Sequence, residues 1–69
     1  MMGANFDRDG FVSFGSAEDY AMELADTGYG VVLSMYETET WPTRIVYVRF
    51  AVYVDDSVPS GTVVLQDNS

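Results

Sequence analysis

The chain reads as an α+β domain of order β-α-β-β-β, one helix packed on a four-stranded, mainly antiparallel sheet. Three observations predict this. Residues 44–56, RIVYVRFAVYVDD, form the most β-branched and apolar run in the chain, with the alternation of a strand. Ala17, Tyr20, Ala21, Leu24 and Ala25 recur at i, i+3, i+4, i+7 and i+8, the stripe of a helix facing a core. Clusters of turn residues at 5–10, 38–43 and 57–61 cut the remainder into short strands.

In chain order, residues 1–4 read as a loose terminus and 5–10, NFDRDG, as a turn. Residues 11–14 form the first strand, with Phe11 and Ser13 on one face and Val12 and Phe14 on the other. Ser16 is the expected N-cap, and Glu18 and Asp19 would then meet the dipole in the first turn. Gly28 suits the residue just past the helix C-terminus. Residues 29–37 form the second strand, 38–43 a wide hairpin loop, and 44–56 the third strand. A turn at 57–61 leads to a last strand at 62–67, with 68–69 a tail. The last three strands are expected to form a meander, and the helix to set Tyr20 and Leu24 on Val48, Phe50 and Val52. The place of the first strand stays open: beside the second strand, or at the other edge.

The third strand organises the rest. One of its faces is Val46, Val48, Phe50, Val52 and Val54, an unbroken apolar row assigned to the core. The other is Ile45, Tyr47, Arg49, Ala51 and Tyr53, aromatic where a wet sheet face is ordinarily polar. Tyrosine and arginine anchor many interfaces, so Ile45, Tyr47 and Tyr53 around Arg49 read as a contact patch. A straight strand of this length would span about 43 Å, beyond the usual ~3–10 residues. A bend or bulge is expected, or an end that projects past the core with an unpaired edge.

Sixty-nine residues make a single domain, 1–69, too small to bury more than about 60% of its unfolded surface. With no cysteine, disulfides and thiol chemistry are excluded and a cytoplasmic location is expected. The first ten residues carry neither the basic nor the apolar segment of a secretory signal. No apolar run approaches the ~20 residues of a membrane-spanning helix. Eleven acids stand against three arginines, without lysine or histidine, for a formal net charge of −8. Such a chain has almost nothing with which to hold nucleic acid or an anionic membrane; its charge suits a basic partner.

No motif points to chemistry. NFDRDGFVSFGS resembles part of an EF-hand loop: Asn5, Asp7 and Asp9 fall on ligand positions one, three and five, and Gly10 on the turn glycine. Position twelve is Ser16 rather than the clamping glutamate, and only four residues precede the loop, so the stretch reads as an acidic turn with no metal. GFVSFGSAEDYAMELADTGYGVV is similar to the back half of an RNA-recognition motif, without its basic residue or partner strand. It reads as a strand feeding a helix. Without histidine or cysteine no serine has an imidazole base, and Asp55 and Asp56 would point to opposite faces of a strand. The expectation is a protein with no catalytic residue and no cofactor.

Asp19, Glu23 and Asp26 follow i, i+4, i+7 along roughly 10 Å of helix. Duplex DNA carries one charge per ~1.7 Å of axis, so rows of carboxylates can occupy a groove shaped for phosphates. In size, charge and lack of motifs the chain resembles the small acidic phage-encoded anti-defence inhibitors, of anti-CRISPR or anti-restriction type. The likeness is compositional and transfers no site residues. Trp41, flanked by Glu37 and Glu39, is either tucked against the core or exposed as a binding anchor; an aromatic before Pro42 also favours a cis bond. The leading expectation is an interaction protein that inhibits a basic, nucleic-acid-handling partner. Its binding residues would be Asp19, Glu23, Asp26, Glu37, Glu39, Trp41, Tyr47 and Tyr53. The alternative is an assembly protein that forms a homodimer or extended sheet through Ile45, Tyr47 and Tyr53.

Overall fold

The computed structural model describes residues 8–67. The expected termini at 1–4 and 68–69, and Asn5 and Asp7 of the calcium-like turn, lie outside them. The elements are β1 (Arg8–Phe11), α1 (Phe14–Asp26), β2 (Val31–Thr40), β3 (Ile45–Val54) and β4 (Val63–Asp67). The α+β class and the β-α-β-β-β order hold. The sheet runs β1-β3-β2-β4; β1 and β2 pair antiparallel with β3, and β4 runs parallel to β2.

The helix begins one turn earlier than its sequence predicts. Ser13, not Ser16, is the N-cap: its backbone is extended at φ −121° and ψ 149°, and its hydroxyl accepts from the Ser16 N–H at 3.2 Å. Phe14, expected in the first strand, is therefore helical, and Glu18 and Asp19 fall beyond the first turn, which holds no acid. Both serines can cap, and tertiary packing decides between them. From this start Phe14 reaches Phe50 edge-on at 5.8 Å between ring centroids. The C-terminus closes as the glycine predicts. Gly28, at φ 110°, donates to the Ala25 carbonyl and Tyr29 donates to that of Leu24, a Schellman pair.

β1 occupies Arg8–Phe11, so residues 8–10 of the expected turn are strand and only Phe11 of the expected 11–14 strand is; it lies at the edge beside β3. Between the pairs Arg8–Val52 and Phe11–Phe50 it holds one residue more than β3, a bulge accommodated by Gly10 at φ 82°. Because β1 occupies that edge, β4 cannot sit there, and the expected meander does not form. Residues 55–62 instead cross the end of β2 and place β4 on its free side, from Val31–Val63 to Met35–Asp67. The crossing is stitched down by Asp55 N–H to the Gly30 carbonyl (2.9 Å), Gly61 N–H to Tyr29 (3.0 Å) and Val31 N–H to Thr62 (2.9 Å). Gly30 is required there, since a Cβ would lie 2.0 Å from the Val58 carbonyl oxygen.

The core forms where α1 meets the middle of the sheet. Ala17, Ala21, Leu24 and Ala25, the predicted stripe, are buried against Val31, Leu33, Phe50 and Val52. Tyr20 is half-buried and stacks on Phe11 at 5.7 Å. The apolar row of β3 splits. Phe50 and Val52 are buried and Val54 half-buried, but Val46 and Val48 are 55% and 42% exposed, so they leave the core to which the alternation assigns them. The reason is length. Thirteen helical residues reach about 20 Å, whereas ten strand residues reach about 34 Å. The far half of the β2–β3 hairpin therefore projects as an arm, and the molecule measures 41 × 24 × 17 Å.

Candidate functional site

The arm is the part of the fold that packing does not explain. β2 and β3 pair along their whole length, but β1 reaches only Phe50 to Val52 of β3 and β4 only Val31 to Met35 of β2. Beyond those points both outer edges lack a strand partner among the described residues. This is the overhang expected for the long strand, though as a two-stranded ribbon rather than a lone strand.

Directly paired residues share a face. On the α1 side, Glu37 pairs with Val48 and Glu39 with Val46. That face alternates carboxylates and exposed apolar side chains. On the opposite side Tyr36 pairs with Arg49, Thr38 with Tyr47 and Thr40 with Ile45. The hairpin is tighter than the wide loop expected at 38–43, because Thr38, Glu39 and Thr40 continue the strand and the turn is 41–44. The Trp41–Pro42 peptide is cis, and Arg44 has a left-handed φ of 61°. Trp41 stands at the tip with 81% of its surface exposed, which settles its two readings in favour of exposure.

The predicted site residues do not form one patch. Glu37, Glu39, Trp41 and Tyr47 gather on the distal arm. Asp19, Glu23 and Asp26 are exposed on α1, over the body. Tyr53 shares Tyr47's face but lies about 20 Å further along β3. It is half-buried, and its hydroxyl donates to Gln66 Oε1 at 2.8 Å, so it holds β3 against β4 across the sheet. Ile45 is half exposed and Tyr47 carries the Arg49 guanidinium 4.8 Å above its ring.

The few cations are already engaged. Arg8 lies 5.0 Å from the ring centroids of both Phe11 and Tyr20, and Arg44 Nε stands 4.0 Å from Glu39 Oε1 in an exposed pair. None of them approaches Asp19, Glu23 or Asp26 closely enough to form a salt bridge among the described residues. The helix thus presents an uncompensated negative field. Asp9, the described member of the calcium-like turn, accepts hydrogen bonds from the Gly10 N–H and the Tyr36 hydroxyl. That bond holds the Tyr36 phenol above its ordinary pKa, because donation to Asp9 favours the protonated form. Among the described residues no group of three or more His, Cys, Asp or Glu side chains converges as a metal site. No helix among them is long and apolar enough to cross a membrane.

Alternation alone missed several exposed side chains. Alternation assigns Val46 and Val48 to the core and Phe14 to a strand, and it marks neither Met22 nor Leu65 as surface; all five are substantially exposed. The available signal was the mismatch between one short helix and two long strands. Comparison with protein-family models, curated proteins and solved structures finds no match for this chain.

Proposed function

We propose that this protein is a non-enzymatic binding protein that docks its hairpin arm on a basic protein surface and inhibits a partner that handles nucleic acid. The observation that carries this reading is the arm itself: a two-stranded ribbon whose outer edges lack a strand partner among the described residues, acidic on one face, with Trp41 at its tip 81% exposed. A small domain gains nothing in its own stability by holding a tryptophan in water. Desolvating that side chain against a partner is the usual source of a binding hot spot. The acids supply orientation and association rate. Asp19, Glu23 and Asp26 extend the negative field along α1, and a surface built for phosphates is the basic surface that such a row matches. Covering it is how a small acidic inhibitor would exclude the nucleic acid. The alternative, a homodimer or extended sheet across Ile45, Tyr47 and Tyr53, draws support from the free arm edges. It fits less well, because Tyr53 is half-buried and bonded to Gln66.

The test is capture of partners from lysate with the tagged protein at low and high salt, read by mass spectrometry. A nucleic-acid-binding complex that is retained at low salt and released at high salt is expected. Trp41→Ala, and separately Glu37→Lys with Glu39→Lys, should each weaken that capture at least tenfold. Glu23→Lys with Asp26→Lys should weaken it further. Capture indifferent to salt and to all of these changes would remove the charge-led reading. Recovery of the protein alone, dissociated by Tyr47→Ala with Tyr53→Ala, would establish the assembly protein instead.

A further inference from the structure

The second uncovered surface lies beside the helix. Strands are spaced about 4.8 Å apart and a helix is about 10 Å wide, so one helix cannot cover a four-stranded sheet. α1 sits over β3 and β2 and leaves a strand at each side. The β1 side is filled: Phe11 stacks on Tyr20, and Arg8 lies over both rings. The β4 side is not. A groove of about 390 Å³ runs between Met22 on α1 and Leu65 on β4, and it continues over Leu33 and Met35 into a second hollow of about 240 Å³ beside Phe14. Its walls are apolar, with Leu65 65%, Met22 52% and Phe14 42% exposed. Its rim carries Glu18, Asp26 and Asp67, and no arginine lines either hollow.

We propose that this groove receives a basic amphipathic helix from a partner protein, packed beside α1 over β4. The inference rests on the reading of the protein as a binder of a basic partner, and it adds a second contact, distinct from the arm. The shape asks for a helix, since an added strand would lie beside β4 rather than over the sheet face. The charge chooses the partner. Leucine-like side chains would enter over Leu33 and Leu65 while lysines or arginines on the flanks meet Glu18 and Asp26. A second copy of this chain suits the groove poorly, because each copy carries a formal charge of −8 and would set the same acids against themselves.

The experiment titrates the ¹⁵N-labelled full chain with a synthetic helix of leucine and lysine, about 14 residues long to match α1, with leucines at i, i+3, i+4 and i+7. A control peptide carries glutamate in place of lysine. Amide shifts are expected along 18–26 and 61–67, not on the arm, with affinity falling at least tenfold in Leu65→Gln and in Met22→Gln. The control should not bind. Both positions are exposed, so the variants should keep the dispersed spectrum of the folded chain. Three results would overturn the proposal: shifts confined to 36–49, binding indifferent to both glutamine variants, or a dimer in light scattering that Leu65→Gln dissociates. Failure here with arm-dependent lysate capture intact removes the groove and leaves the arm. Lysate capture lost in Leu65→Gln but kept in Trp41→Ala removes the arm and leaves the groove.

Discussion

The two halves of the β2–β3 hairpin are built from the same two strands, with continuous pairing from Val31–Val54 to Thr40–Ile45, yet they do different work. In the proximal half Val31, Leu33, Phe50 and Val52 are buried under α1. In the distal half Val46 and Val48 occupy the same face of the same strand and lie in solvent. Nothing in the local pattern of β3 separates them. The difference is what lies above: thirteen residues of helix end before ten residues of strand do. An apolar row is thus core only as far as something covers it, and the uncovered remainder is surface available for recognition.

That contrast can be broken most severely at the base of the hairpin. Gly30→Ala would drive a Cβ into the Val58 carbonyl at 2.0 Å, where only backbone can give way. A loss of about 3 kcal/mol or more is expected, a large share of the stability of so small a domain. Calorimetry should find most of the variant unfolded or its melting point sharply lowered; a wild-type melt would mean that the 55–62 crossing does not lie over Gly30 in solution.

The next test compares the halves directly. Leu33→Ala removes a side chain that is 2% exposed and should cost about 3 kcal/mol, while Val46→Ala, at 55% exposure, should change denaturant stability by less than about 0.5 kcal/mol. Equal costs would show that the arm face is covered in solution, by a partner or by another copy.

A smaller effect follows pH. The Asp55 carboxylate accepts from the Ser57 hydroxyl at 2.7 Å and from the Ser57 N–H at 2.9 Å, and these bonds hold its pKa below the ordinary carboxylate value. A pKa lower in the folded state adds stability that is present above the unfolded value and is lost as pH falls through the folded one. Acid titration should therefore loosen the crossing first, read as faster amide exchange at 55–62, and Asp55→Ala should abolish that pH dependence. The smallest effect belongs to the tip. Arg44 holds a left-handed φ of 61°, so Arg44→Gly should stabilise the hairpin by up to about 1 kcal/mol, offset by loss of the exposed Glu39 pair. A loss of more than about 1 kcal/mol would mean that the Arg44 side chain holds the turn.

Much of the fold was legible in the chain. The helical stripe Ala17, Ala21, Leu24 and Ala25 is buried as its 3.6-residue period requires, Gly28 ends α1, and residues 45–54 of the expected 44–56 form the long strand. These features are local, and local sterics suffice for them. The candidate site was half legible. Glu37, Glu39 and Trp41 share the distal arm with Tyr47, which lies on the opposite face from the two acids, because neighbours on a hairpin are neighbours in the chain. Tyr53 does not join them, because it lies about 20 Å from Tyr47 along β3; what no local signal reveals is its bond to Gln66 on β4.

The sequence by itself determined the element types, the acidity and the over-long strands, since periodicity, composition and length are properties of the chain. Tertiary structure decided which serine caps α1, which edge received β4, and where the apolar row of β3 ceased to be core. Each of those outcomes is a competition between alternatives of similar local energy. Contacts distant in sequence decide it: Phe14 reaching Phe50, β1 occupying the edge of β3, and a helix that ends before the strands do.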